Sequence, residues 1–93
     1  MIRSFADRAT EALFTDGTCP AQWRQFKKVA VRKLDMIDAA TRLQDLKSPP
    51  GNRLEALKRE RKGQHSIRIN DQWRACFKWT DEGPEDVEIV DYH

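Results

Sequence analysis

A chain of 93 residues is enough for one small domain with a modest core. Its 39% hydrophobic content marks a folding sequence, and no apolar run approaches the ~20 residues that span a bilayer, so a transmembrane helix is excluded. The net charge of +2 hides a division: residues 47–78 hold 9 Lys or Arg against 3 Asp or Glu, and residues 81–93 hold 6 acids and no Lys or Arg.

The opening stretch MIRSFADR lacks the apolar segment of a secretory signal, which makes a cytoplasmic protein the expectation. Ile2 and Ser4 alternate with Arg3 and Phe5, as in a short edge strand. Asp7 is placed to cap a brief helix running to Leu13 or Phe14. Asp16-Gly17-Thr18-Cys19-Pro20 then interrupts regular structure. Cys19 belongs to this loop, and Cys76 reads as a small packing residue. The two cysteines have no CxxC or Cys/His ligand spacing, so neither a metal site nor a cofactor is expected.

Pro20 suits the first turn of a helix, where its missing N–H costs nothing. Trp23, Phe26, Ala30, Leu34 and Ile37 follow at helical spacing, and Ala40, Leu43 and Leu46 prolong the pattern. One helix from Pro20 to Leu46 would be about 40 Å long, too long for a domain of this size. A break is therefore expected between Asp38 and Thr41, with Asp38 capping the second piece. Lys47-Ser48-Pro49-Pro50-Gly51-Asn52 ends the helical region, Leu54 and Leu57 pin the connection that follows, and Arg59-Glu60-Arg61-Lys62-Gly63 is a basic turn.

From Gln64 to Trp79 the period becomes two. Ile67, Ile69, Trp73, Ala75, Phe77 and Trp79 alternate with Ser66, Arg68, Arg74, Cys76 and Lys78, and Asn70-Asp71-Gln72 supplies a turn. Asp81–Glu85 reads as a second turn, and Val87, Ile89 and Val90 as a third strand that ends in Asp91-Tyr92-His93. Helices first and an antiparallel meander last give an α+β class, with the helices packed on one face of a small twisted antiparallel sheet. The other face would carry Ser66, Arg68, Arg74, Cys76 and Lys78 with Glu88, Val90 and Tyr92, leaving an open basic surface. His65 shares the core-side parity of Ile67 and is expected at the core edge.

A basic sheet face beside an aromatic and an imidazole suits RNA. Arg engages phosphate through a bidentate fork, Tyr stacks on unpaired bases, and His moves protons near neutrality. RNA cleavage by attack of the 2′-hydroxyl needs a base, a group that stabilises the phosphorane charge, and an acid for the leaving 5′-oxygen.

The stretch GNRLEALKRERKGQHSIRINDQWRACFKW, followed by VEIVDYH, resembles the HigB toxins of bacterial toxin–antitoxin systems, within the RelE superfamily. MIRSF, TEALF and KLDMIDAATRLQDLKSPPGNRLEAL are similar to the GraT-type subgroup. The resemblance implies a microbial-RNase-like fold and a ribosome-dependent endoribonuclease that cuts mRNA in the decoding site. It also implies a HigA-type helix-turn-helix antitoxin, through which alone operator DNA would be bound. Carried onto this chain, it makes Arg74 the ligand of the scissile phosphate and Arg68 its helper. Asp91, Tyr92 and His93 become catalytic, Lys58 falls in a functional basic region, and Arg59, Arg61 and Lys62 become ribosomal RNA contacts, with Lys78 adding to the basic face. Some HigB toxins have a His where this chain has Glu55, so the general base is Glu55 or His93. Read without the resemblance, Arg74 could instead pair across the strands with Glu88. The competing functional classes are a ParE-like gyrase poison and a non-catalytic nucleic-acid-binding module.

Overall fold

The computed structural model describes residues 1–91. The first helix, α1 (Arg8–Asp16), begins where expected: Asp7 accepts a hydrogen bond from the Thr10 N–H at 2.7 Å. It ends at Gly17, whose φ of 74° lets the chain turn back so that its N–H reaches the Leu13 carbonyl at 3.1 Å. Leu13 and Thr10 are buried, and the Thr10 hydroxyl accepts from the Ile89 N–H at 3.1 Å, which ties this helix to the last strand.

The long apolar stripe divides into three pieces: a 3-10 turn at Ala21–Phe26, helix α2 (Lys27–Ala39), and a second 3-10 turn at Leu43–Lys47. Trp23, Phe26, Ala30, Leu34, Ile37 and Leu46 are all buried, as their spacing requires. The break falls at Ala40, inside the expected window, but Asp38 does not cap the second piece. Asp38 accepts from the Ile2 N–H at 2.8 Å and anchors the N-terminal segment instead. Asp45 does the capping from within the turn, accepting from the Thr41 and Arg42 N–H groups, each at 3.0 Å, and these hydrogen bonds lower its carboxyl pKa.

Four antiparallel strands form one sheet in the order β1-β2-β3-β4: β1 (Glu55–Ala56), β2 (Gln64–Arg68), β3 (Trp73–Thr80) and β4 (Gly83–Asp91). β1 was not foreseen, since two residues carry no period. In the β2–β3 turn Asn70 Oδ1 accepts from the N–H groups of Gln72 and Trp73 at 2.9 and 2.8 Å. The second turn is tighter than expected: Gly83, Pro84 and Glu85 already belong to β4 and pair with Thr80, Trp79 and Lys78. The register shifts between Cys76 and Lys78, a bulge that realigns the two ends of this hairpin.

The N-terminal segment is not a full strand. It runs parallel to β4, joined by one bridge from Phe5 to Val87 and by the Arg3 N–H to the Pro84 carbonyl at 2.7 Å. This strapping makes Gly83 sensitive. Its φ is 129°, and a Cβ there would lie 2.6 Å from the Met1 carbonyl oxygen. Gly83→Ala is expected to destabilise the fold by about 1–3 kcal/mol, seen in a thermal melt as a loss of roughly 4–8 °C per kcal/mol.

Ile67, Ile69, Ala75, Phe77, Val87 and Ile89 project from the sheet into one cluster with the helical stripe. Trp73 closes one end against Phe26 and Trp23, with ring centroids 5.6 and 6.3 Å away. His65 sits at the core edge, stacked on Phe77 with centroids 6.4 Å apart. The fold is thus α+β, with both helices on one face of the sheet and the other face left for the site.

Candidate active site on the outer face of the sheet

Strand pairing decides which side chains meet on the outer face. Glu55 lies opposite Ser66, Ser66 opposite Cys76, and Cys76 opposite Glu88. One row further along, Arg68 lies opposite Arg74 and Arg74 opposite Val90. At the other end Lys78 pairs with Gln64 and Glu85. The expected outward residues do share one face, but that face is less open than an uncovered basic sheet. Ser66 and Cys76 are fully buried and Arg74 is only 8% exposed, whereas Arg68 is half-buried and Lys78 exposed.

Arg74 is buried because it is held. Its Nε–H donates to the Ser66 hydroxyl oxygen at 2.7 Å, and its Nη2 donates to the Arg53 carbonyl at 2.6 Å. Arg53 adopts the left-handed conformation, φ 47°, uncommon outside glycine. The guanidinium plane is therefore set from one side by a strand hydroxyl and from the other by a loop carbonyl, which removes rotamer freedom before any ligand arrives. Arg74 does not pair with Glu88. Arg61 takes that carboxylate at 2.8 Å and also donates to Gln64 at 3.0 Å.

Cys76 reports what surrounds the middle of this face. Burial pushes its thiol up to about 11; Arg61 and Arg74 pull the pKa down, and Glu88 and Glu55 push it up. Four charged side chains from β1, β3, β4 and the basic turn thus act on one point. Cys76 is an inert packing residue there, as its sequence context suggests.

The other candidates are spread around this centre. Arg68 forms an ion pair with Asp71 in the hairpin turn. Glu55 is exposed on the edge strand. Lys58, Arg59 and Lys62 are exposed at the short 3-10 turn Arg59–Arg61, where Arg59 has a positive φ of 59°. Arg61 differs from them, since its ion pair turns it toward the sheet. Asp91 lies opposite Trp73 and accepts from the Gln72 side-chain amide at 2.9 Å. Tyr92 and His93 lie outside the described residues. Among the described residues, no group of three or more His, Cys, Asp or Glu side chains comes together as a metal would require.

Sequence reading missed the residues that support Arg74. Alternation gives Ser66 only a direction, and Arg53 contributes through its backbone. Asn52, fully buried, holds the loop just before Arg53: its amide donates to the Leu46 and Ser48 carbonyls at 3.2 and 3.3 Å, and its oxygen accepts from Lys33. Lys33 is 8% exposed, and burial first, then Arg32 and Arg68, lowers its pKa. The available signal was positional, because Lys33 falls three residues after Ala30, on the apolar stripe.

The comparisons with known proteins agree with this architecture. Residues 3–93 match the family model described as RelE-like toxin of type II toxin-antitoxin system HigB. The chain is 52% identical over 50 residues to Toxin HigB-1 of Vibrio cholerae serotype O1, covering 54% of this chain and 53% of that protein. It is 48% identical over 52 residues to an uncharacterized protein of Haemophilus influenzae, covering 56% of this chain and 52% of that one. Each match thus spans about half the length of the curated relative. The family match, by contrast, runs over nearly the whole chain, and this protein belongs to the HigB-like toxins, the RelE-like toxins of type II toxin–antitoxin systems.

Proposed function

We propose that this toxin is a ribosome-dependent endoribonuclease that cuts mRNA in the decoding site and so stops translation. In this reading the 2′-hydroxyl loses its proton and its oxygen attacks the adjacent phosphorus. The bond from phosphorus to the 5′-oxygen breaks, the 5′-oxygen takes a proton, and a 2′,3′-cyclic phosphate remains. Arg74, aided by Arg68, stabilises the charge that builds on the phosphorane. His93, Tyr92 or Glu55 handles protons, and Asp91 orients its neighbours. Lys58, Arg59, Lys62 and Lys78 meet RNA phosphates, and Arg61 braces Glu88 while adding its charge to the same face. The partner is a HigA-type helix-turn-helix antitoxin, and operator DNA is bound only through it. The whole chain acts as one domain in the cytoplasm, without a metal or cofactor.

The observation that carries this reading is the preset guanidinium of Arg74, cross-strand from Arg68, on the face where Glu55 also lies. A fixed donor aimed at developing charge contributes more than a mobile surface arginine, because it needs no reorganisation during reaction. The test is a brief pulse of expression in a bacterial host followed by mapping of RNA ends. New 5′-hydroxyl ends inside translated reading frames, absent from the same transcripts with the start codon removed, are expected. Intact mRNA with a DNA-damage response would overturn the proposal.

A further inference from the structure

Arg53 supports the site through its carbonyl, yet its side chain is exposed and among the described residues forms no ion pair. The other arginines nearby are engaged: Arg61 with Glu88, Arg68 with Asp71, and Arg74 with Ser66 and the Arg53 backbone. We infer that the Arg53 guanidinium is a further ligand of the mRNA phosphate that Arg74 holds, so that two arginines act on that phosphate, one from the loop and one from β3.

Placement is the first support. The Arg53 carbonyl oxygen lies 2.6 Å from Arg74 Nη2. That oxygen is two bonds, about 2.4 Å, from the Arg53 Cα. The Arg53 side chain therefore leaves the backbone within about 5 Å of the Arg74 guanidinium. On the other side of that guanidinium Ser66 accepts from Nε, and Ser66 is the cross-strand partner of Glu55. Arg53 thus stands between the phosphate-binding arginine and a candidate base.

The second support is a conflict between residue and backbone. The Arg53 N–H donates to the Pro50 carbonyl at 3.1 Å, and its own carbonyl is taken by Arg74, so the chain is fixed on both sides at φ 47° and ψ 55°. This closes the 3-10 turn Pro50–Asn52, a position where Gly or Asn is usual because a Cβ crowds the left-handed backbone. A chain shaped by stability alone would place one of them here, and a residue at odds with its backbone is expected where its side chain has a task. Asp86, also left-handed at φ 52°, has such a task in the fold, since its carboxylate accepts from the Ser4 hydroxyl at 3.5 Å. The task of Arg53 lies outside the fold. The third support is chemical. Arg74 commits Nε and Nη2 to the protein, which turns part of its fork away from a phosphate. A second guanidinium supplies further donors to the charge that builds on the phosphorane, and Arg53 has no carboxylate to leave first, whereas Arg68 has Asp71.

This role rests on the cleavage reading, and the two are tested so that they fail separately. Arg53→Asn, with Arg53→Gly beside it, removes the guanidinium and keeps a residue that accepts the left-handed turn. Single-turnover mRNA cleavage on translating ribosomes is measured for wild type and each variant, with a thermal melt and the Arg74 Nε–H signal in a nitrogen–proton NMR correlation spectrum. Both variants are expected to cleave about tenfold or more slowly at saturating ribosomes, with the half-saturating ribosome concentration unchanged and the Arg74 signal retained. Arg53→Asn is expected to melt no lower than wild type. Arg53→Lys should recover only part of the rate, because it returns the charge without the fork. Variants that cut at the wild-type rate overturn the inference and leave the cleavage reading intact. Slower variants that have lost the Arg74 signal or melt lower show that position 53 acts through its backbone alone, and a loss confined to ribosome affinity shows a docking contact; either result overturns the assignment. Wild-type protein that cuts no mRNA overturns both.

Discussion

Arg74→Lys is expected to abolish most RNA cleavage while leaving a folded protein. Lysine keeps the positive charge but not the fork. It cannot satisfy both the Ser66 hydroxyl and the Arg53 carbonyl while also presenting donors in a fixed plane. If Arg74 stabilises the phosphorane, loss of its preset donors should lower the cleavage rate on translating ribosomes by ~10²–10³, the size seen for single transition-state donors elsewhere. Ser66→Ala separates orientation from charge. It leaves the guanidinium in place and frees its Nε side, so a smaller loss is expected, together with a stability cost of about 1–3 kcal/mol for the unsatisfied donor. Should Arg74→Lys cleave at the wild-type rate, the role of Arg74 is to pin the 53-loop to β2, and the site lies elsewhere on the face.

The distinction between pin and ligand could not be drawn from the sequence. Alternation from Ser66 to Lys78 correctly places Arg74 on the face opposite Phe77, because strand geometry leaves no other choice. Alternation says nothing about what passes over that face. The covering element is the chain around Arg53, which turns through a left-handed residue and offers only a backbone oxygen. No side-chain pattern encodes it. β1 escaped for a related reason: Glu55 and Ala56 become a strand only because β2 is there to pair with. Pro84 misled in the opposite direction. It reads as a turn residue, yet it occupies β4 opposite Trp79, where its carbonyl accepts from the Arg3 N–H. By contrast, the Asp7 cap and the burial of the stripe from Trp23 to Ile37 were legible from local spacing alone, although Ala21–Phe26 forms a 3-10 turn rather than the start of the helix expected from Pro20.

The charged residues divide in the same way. Lys58, Arg59 and Lys62 stand exposed, as a run of basic turn residues should. Arg61 in that run does not, because Glu88 lies within reach across the sheet. Charge bookkeeping by segment anticipates that the acidic last strand neutralises part of the basic one before it, but not which member pairs. Tertiary structure selects the partner, and it selects Arg61 over Arg74.

Asn52→Ala should be the most damaging substitution outside the apolar core. One side chain there serves four partners: it accepts from Lys33 and donates to two loop carbonyls and to the Met36 sulfur. Truncation leaves a buried ammonium without its acceptor and two carbonyls without their donor. Leaving a buried polar group unsatisfied costs about 1–3 kcal/mol, and more for a charged one, a large share of the ~5–15 kcal/mol that stabilises a typical domain. Lys33→Met in the same background should recover part of that loss, because it removes the stranded charge, and the chemical denaturation midpoint of each variant measures it. The pH dependence has a definite sign. Lys33 has a folded-state pKa below its ordinary 10.5, so the unfolded chain holds this proton more tightly. The stabilisation linked to the neutral amine is fully present above 10.5 and is lost as the pH falls through the lower folded value. Wild-type stability should therefore carry a component that rises with pH on the alkaline side, and Lys33→Met should abolish it. The same variants connect loop and site. The Asn52 side chain holds the chain that ends at the Arg53 carbonyl, and that carbonyl orients Arg74. Asn52→Ala should thus lose cleavage at temperatures where circular dichroism still reports a folded protein, and an unchanged rate there would uncouple the loop from Arg74.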